Sequence, residues 1–141
     1  MLKALVPVDG SSASERALRH VIALAKGREP MEIHIVNVQD RADAPELRRF
    51  LKPAEIKRNQ LTHGEAVLAA ARKLLDRAGL KYQAHVMIGE PAETIARLAR
   101  RGKFDKIVMG THGRTGMSAL LMGSVATRVL HRTSVPVTLV K

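Results

Sequence analysis

Residues 104–124, which read FDKIVMGTHGRTGMSALLMGS, join an apolar run to a glycine-rich connection and a helix start. Residues 104–109 are short and mostly apolar, which is typical of a buried β-strand. The connection over 110–123 has glycine at both of its ends, and residues 124–131 are predicted to form a helix. This stretch therefore predicts a strand, a long loop and a helix in succession, which is the repeating unit of parallel α/β sheets.

The rest of the chain continues this alternation. Apolar runs predict four more strands, at residues 2–8, 32–38, 81–88 and 135–140. Helical spacing and end signals predict helices at residues 12–25, 55–78 and 91–101, the first opened by a capping box at Ser12 to Glu15. Residues 39–53 show no clean period and are interpreted as a loop or a loosely attached excursion.

These elements predict one α/β domain over residues 1–141, with a doubly wound five-stranded parallel sheet. Right-handed crossovers between parallel strands place helices on both faces of such a sheet. The third strand alternates between apolar and polar residues, whereas the others are nearly continuous apolar runs. Alternation indicates one less-buried face, so the third strand is expected near an edge.

Composition excludes several classes of protein. The chain has 141 residues, 45% of them hydrophobic, which suits one globular domain. It has no cysteine, which excludes a disulfide framework, a thiolate metal site and a catalytic thiol. The N-terminal apolar run is too short for a signal peptide, and no run is long enough to span a membrane. A cytoplasmic location is therefore expected.

The formal net charge of +11 has two interpretations. Such a charge attracts polyanions such as nucleic acid, anionic lipid or a phosphate-rich ligand, or it simply keeps a solvated surface soluble. The basic excess lies after Asp40 and is scattered along the sequence, and only 2% of residues are aromatic. Because nucleic-acid modules usually offer aromatic stacking or a compact basic stripe, we favour a solvated surface and expect no nucleic-acid or membrane partner.

The connection after the fourth predicted strand has the chemistry of an anion site. Gly110 and Gly113 offer no side chain that blocks close approach, and a positive φ there would let successive amides form a nest. Gly123 and Ser124 offer free amides, a hydroxyl and the positive end of a helix dipole, and Arg114 or His112 could add a charge-assisted contact. The alternative is a long turn in which Ser124 is only an N-cap.

Two familiar phosphate motifs are missing from the sequence. No Gly-x-Gly-x-x-Gly follows the first strand, and no Gly-Lys-Ser or Gly-Lys-Thr occurs anywhere. A dinucleotide dehydrogenase and a P-loop NTPase are therefore both disfavoured.

The spacing Gly110-x2-Gly113-x9-Gly123-Ser124 resembles the signature of the ATP-binding branch of the universal stress protein family. The resemblance covers the whole chain, including residues 6–11 (VPVDGS), 107–113 (IVMGTHG), 123–126 (GSVA) and 135–137 (VPV). It implies an adenine nucleotide alpha hydrolase-like, Rossmann-like sheet of order 3-2-1-4-5. It also implies that a nucleotide binds at the switch point between the first and fourth strands.

The resemblance further implies ATP and Mg²⁺ as cofactors and a homodimer that pairs fifth-strand edges. Asp9 would face the ribose or metal region and Val38 the adenine, but Asp9 could equally stabilise only its own turn. His112 could likewise be an ordinary loop histidine. No catalytic residue and no metal ligand is assigned. The positions implied to bind the nucleotide are Pro7, Asp9, Val38, Met109, Gly110, His112, Gly113, Arg114, Gly123, Ser124 and Val125.

Two functions from different classes follow. The first is a nucleotide-dependent stress-response module whose bound ATP alters its stability or its choice of partner. The second is a slow ATPase or phosphotransferase, which would need a positioned base or water-orienting group that no spacing identifies. A third possibility, a relative with an empty pocket that acts through protein contacts alone, is disfavoured by the intact glycine and serine spacing. We favour the first.

Overall fold

Five parallel strands form the sheet in this computed structural model, which describes residues 1–40, 50–111 and 123–141. In that part of the chain the strands are β1 (Leu2–Pro7), β2 (Met31–Gln39), β3 (Tyr82–Ile88), β4 (Lys106–Gly110) and β5 (Val137–Val140). The helices between them are α1 (Ser12–Lys26), α2 (Pro53–Arg77), α3 (Pro91–Arg101) and α4 (Ser124–Arg132). None of these helices combines the length and apolar character that a bilayer crossing requires.

The strand order is β3-β2-β1-β4-β5, as predicted. The chain runs outward from β1 to β3 and then returns to the other side of β1, where β4 pairs with it. The strand order therefore reverses between β1 and β4, which is where open parallel sheets bind ligands. The prediction that β3 lies at an edge is confirmed, and β5 forms the opposite edge.

Alternate residues of the central strands face two separate hydrophobic clusters. Val6 packs with α1 and α2 on one face of the sheet, whereas its neighbour Leu5 packs with α3 and α4 on the other. The same alternation separates Ile35 from Val36 in β2. The two-residue period of a strand thus accounts for helices on both faces.

Element ends differ from the predicted ones by one or two residues. Ser11, not Ser12, caps α1, because its hydroxyl accepts from the Ser14 N–H at 3.1 Å. Helix α2 begins at Pro53, since a proline at the first helical position loses no hydrogen bond. Strand β5 begins after Pro136, which has no N–H to donate, although its carbonyl accepts from the Ile107 N–H at 2.8 Å. Residues 41–49 of the predicted excursion lie outside the described residues.

The turns after the first three helices differ in which residue type has a positive φ angle. After α2 the left-handed position is Gly79, with φ of 70°, as expected of a residue just past a helix end. After α1 and α3 the positive φ falls on Arg28 (121°) and Lys103 (53°). A side chain in the left-handed region costs about 1–2 kcal/mol, a cost that glycine avoids. In both turns a glycine stands one residue too early, at Gly27 and Gly102, where φ is negative.

A buried histidine links β2 to β3. His34 is 5% exposed, and its Nδ1 lies 2.9 Å from His85 Nε2 while its Nε2 lies 2.7 Å from a Glu32 carboxylate oxygen. Burial, together with the nearby charges of His34 and Lys3, lowers the pKa of His85 below its ordinary value of 6.5. The hydrogen bond from His34 lowers the pKa of Glu32.

The lowered pKa of His85 predicts an acid-sensitive stability. The unfolded chain binds a proton at His85 at a higher pH than the folded chain, so the free energy of unfolding should fall as the pH drops below about 6.5. Urea unfolding from pH 8 to pH 5 should show a plateau above neutral pH and a decline below it. His85→Gln should flatten that decline, whereas His131→Gln, at an exposed position on α4, should leave it unchanged. Equal declines in all three proteins would contradict this account.

Candidate functional site

A cleft of about 350 Å³ lies at the carboxyl ends of the strands, at the switch point between β1 and β4. Its walls are the ends of β1, β2 and β4, the first turns of α1, α3 and α4, and one side of α2. Three helices thus begin at the cleft, and each helix start carries unsatisfied amides and a positive partial charge. The cleft is therefore suited to an anionic ligand.

Eight of the predicted binding positions line this cleft. Three predicted positions, His112, Gly113 and Arg114, lie outside the described residues. The chain brings together positions that are more than a hundred residues apart in sequence, because the ends of parallel strands meet at one edge of the sheet. The eight that line the cleft are Pro7, Asp9, Val38, Met109, Gly110, Gly123, Ser124 and Val125.

Asp9 stabilises its own turn and also faces the cleft. Its Oδ1 accepts from the Ser11 N–H at 2.9 Å, which joins the end of β1 to the start of α1. No described residue donates to its Oδ2. The turn-stabilising role considered from the sequence is thus confirmed, and one carboxylate oxygen stays available to a ligand or a cation.

Gly110 is required for packing rather than for a positive φ. The positive φ angles of described glycines belong to Gly10 and Gly79, so the proposed left-handed conformation at Gly110 is wrong. A Cβ at Gly110 would lie 2.7 Å from the backbone carbonyl of Ala13, in the first turn of α1. Real Cβ atoms do not approach that closely, so glycine here lets β4 end against the helix.

Ser124 does not cap α4. The cap residue is Gly123, and Ser124 is the first helical residue, with an exposed side chain that hydrogen-bonds to no described group. The amides of Ser124, Val125 and Ala126 also have no acceptor among the described residues, since the first amide to bond is that of Thr127, at 3.0 Å from the Gly123 carbonyl. The interpretation of Ser124 as a simple N-cap is therefore wrong, and its hydroxyl and these three amides, which no described group occupies, are suited to binding an anion.

Asn37 is a site-building residue that the sequence reasoning missed. It is 4% exposed, and its Nδ2 donates to the Val8 carbonyl at 2.8 Å, while its Oδ1 accepts from Gln39 Nε2 at 2.6 Å. Helix α2 comes close at Gly64, where a Cβ would lie 3.1 Å from Asn37 Oδ1. Asn37 therefore fixes the end of β1, from which Asp9 extends. An amide inside an apolar strand was the available signal, because a buried polar side chain needs a partner.

An ion pair joins the two helices on one side of the cleft. Glu90, the cap residue of α3, accepts from the Glu93 N–H at 2.7 Å through one oxygen and pairs with Arg128 of α4 through the other. Pro91, which follows Glu90, lines the cleft, and so does Val125, the second residue of α4. An exposed pair contributes little to stability, but it aligns two helix starts beside the same pocket.

The residues that the structure describes contain no cluster of three or more histidine or carboxylate side chains that could hold a metal ion. A cation in this cleft would thus have few ligands among the described side chains. Asp9 is the cleft carboxylate that hydrogen bonds leave open. Mg²⁺ often binds in this way, through one or two carboxylates together with ligand phosphates and water.

Comparison with known proteins identifies relatives across the full length. The family model described as "Universal stress protein family" matches residues 1–141. Universal stress protein MJ0531 of Methanocaldococcus jannaschii is 34% identical over 99% of this chain and 81% of its own length. The solved structure of MJ0577 is 31% identical, covers 99% of this chain and 95% of its own, and superposes with a TM-score of 0.85.

A universal stress protein of Archaeoglobus fulgidus, solved in complex with dAMP, shares the fold with a TM-score of 0.70 at 24% identity, covering 100% of this chain and 98% of its own. The five-stranded sheet of order 3-2-1-4-5 agrees with the fold of these structures. The chain belongs to the universal stress protein family.

Proposed function

We propose that this protein binds ATP with Mg²⁺ in the cleft and acts as a nucleotide-dependent regulatory module of the cytoplasmic stress response. The observation that carries the proposal is the start of α4, where a hydroxyl and three amides without described partners border a cleft. Helix starts of this kind are suited to phosphate groups, because amides and the helix dipole both favour negative charge. The dAMP complex of the Archaeoglobus fulgidus relative supports an adenine nucleotide as the ligand class.

The cleft offers complementary surfaces for each part of such a ligand. Its volume of about 350 Å³ falls in the range of small-molecule sites. Val38 and Val67 give an apolar wall at the end of β2, where a purine would pack, and the backbone of β2 ends beside it. Asp9 lies at the end of β1, where it would meet a ribose or a phosphate-bound Mg²⁺.

Mg-ATP binding is the first expected outcome, measured by isothermal titration. Nucleotide at one hundred times its dissociation constant should also raise the free energy of unfolding by about 2.7 kcal/mol, because only the folded chain binds it. Gly123→Val should weaken binding at least about tenfold, since its side chain would stand before the free amides of α4. The backbone at Gly123, with φ of −61° and ψ of 153°, accepts valine without strain.

The control for that variant adds similar bulk elsewhere. Ala70→Val places its methyl groups on an exposed part of α2 and should bind nucleotide normally. Gly110→Ala is unsuitable as a site test, because its Cβ would disturb Ala13 whether or not a ligand binds. A flat titration at millimolar nucleotide, or normal binding by a folded Gly123→Val protein, would remove the proposal.

We propose that hydrolysis is not the main role of this site. Efficient phosphoryl transfer needs a group that orients water or accepts a proton, together with cations on the γ-phosphate. Asp9, Asp40 and His63 are the titratable side chains among the described cleft residues. The Ser11 N–H holds Asp9, but no described contact pairs Asp9 or His63 with a second titratable group that would make it a general base. Steady-state phosphate release should therefore stay well below one turnover per second, under the usual range for kinases. Many turnovers per second would instead establish an ATPase or phosphotransferase.

We further propose that two copies pair through their β5 edges. Strand β5 is at the edge of the sheet and its four residues are only half-buried, so its outer backbone groups are open to another strand. Light scattering should give a mass of about twice 15.4 kDa. Replacing Leu139 by proline should shift the mass to that of one chain, because the N–H of Leu139 lies on the outer side of β5, whereas the carbonyls of Pro136 and Val140 face β4. A monomeric native protein would contradict the proposal.

A further inference from the structure

Basic side chains gather at the amino-terminal edge of the sheet, opposite the cleft. Helices that connect parallel strands run antiparallel to them, so α1 to α4 all end at this edge. We name as the basic edge six exposed cations that have no ion pair with any described carboxylate: Arg28, Lys81, Arg100, Arg101, Lys103 and Arg132. Residues scattered in sequence are thus brought to one end of the molecule.

Hydrogen bonds at the start of β1 draw the two turns of this edge together. The Leu2 N–H donates to the Pro30 carbonyl at 3.2 Å, which ties the turn containing Arg28 to β1. Lys3 Nζ donates to the Gly102 carbonyl at 2.6 Å, which ties the turn containing Lys103 to the same strand. Arg28 and Lys103 therefore flank one strand start.

The acidic residues of the region offset only part of this charge. Glu32 is engaged by His34 and by Lys3, whose Nζ lies 3.6 Å from its carboxylate. Asp105 accepts from the Lys3 N–H at 2.7 Å. A backbone N–H does not neutralise a carboxylate, so Asp105 remains with Glu29 and Asp76 as negative charge. Three carboxylates against six cations leave the edge with a positive field.

Two of these cations occupy backbone positions that suit glycine better. The φ angles of Arg28 and Lys103 are 121° and 53°, and they are the only described residues other than glycine with a positive φ. The turn after α2 shows the less strained solution, with Gly79 at its left-handed position. Strain of this kind clusters where function maintains it.

Compensation of helix dipoles does not account for these two cations. Basic side chains near a helix end do stabilise it, but α1, α2 and α3 already carry them within their last turns, at Lys26, Arg77 and Arg101. Helix α2 has this compensation and still uses glycine in its turn. The charges at Arg28 and Lys103 are therefore not needed to end the helices.

We propose that the basic edge docks an acidic segment of a partner protein, rich in aspartate and glutamate. The helix ends at this edge also present backbone carbonyls, which accept hydrogen bonds. A polypeptide meets both features, because its carboxylates pair with the cations while its N–H groups donate to the carbonyls. A DNA backbone has phosphates but no donors, and these carbonyls would repel it. The chain's own carboxylates at Glu15, Glu65 and Glu90 are already paired with arginines, so these three are not available to the basic edge of a second copy.

Binding of fluorescent poly-L-glutamate, measured by anisotropy without nucleotide, tests this proposal. The double variant Arg28→Gly/Lys103→Gly should bind the peptide about tenfold more weakly than the native protein. Its thermal unfolding midpoint should be equal or higher, because glycine relieves the positive φ at both positions. A loss of peptide affinity without a loss of thermal stability distinguishes a docking role of these two side chains from a structural one.

A charge-matched control removes the same two charges from the other end of the molecule. Lys57→Gln/Arg58→Gln alters exposed residues near the start of α2, at the cleft end, and should keep normal peptide binding. Equal loss in both variants, or unchanged binding by Arg28→Gly/Lys103→Gly, would overturn the proposal. Tighter binding to duplex DNA or to phosphatidylserine vesicles, lost in the same variant, would also overturn it in favour of another class of partner. Failure of ATP binding would leave this test unaffected.

Discussion

The contact between Gly110 and the first turn of α1 is the constraint on which the site depends. Strand β4 ends against the backbone of Ala13, at a distance that no side chain on residue 110 would permit. This contact places the end of β4 beside α1, the helix that follows β1. Strands β1 and β4 are therefore neighbours in the sheet, although the chain leaves them in opposite directions along it. The cleft lies at that point, and Gly110 is one of its lining residues.

The described walls of the cleft combine three helix starts with one carboxylate that a hydrogen bond holds in place, Asp9. The first turns of α1, α3 and α4 bring positive partial charge to one place without any lysine or arginine on the described walls. Asp9 is held at the end of β1 by Ser11, and Asn37 secures the preceding carbonyl. A fixed carboxylate facing helix starts is an arrangement in which a cation and an anion can bind side by side.

Local patterns predicted the architecture well, and long-range contacts explain what they missed. Apolar runs and glycine or proline boundaries located every described strand and helix to within about two residues, since period and end signals are properties of neighbouring residues. The role of Gly110 depends on Ala13, and that of Asn37 depends on Val8, so neither could be derived from its own segment. The predicted cap of α1 was wrong by one residue because three serines occur within four positions, and only the folded structure determines which of them caps the helix. The basic edge was interpreted as scattered charge because its members come from four different turns.

The separation of the core into two clusters has a consequence for how the molecule holds together. The α1/α2 cluster and the α3/α4 cluster meet only across the sheet, and the described residues of each contribute to the walls of the same cleft. A molecule bound in the cleft would contact residues of both clusters at once. Local unfolding of one cluster would then break contacts that also hold the other. The α1/α2 and α3/α4 clusters would therefore unfold as a single cooperative unit.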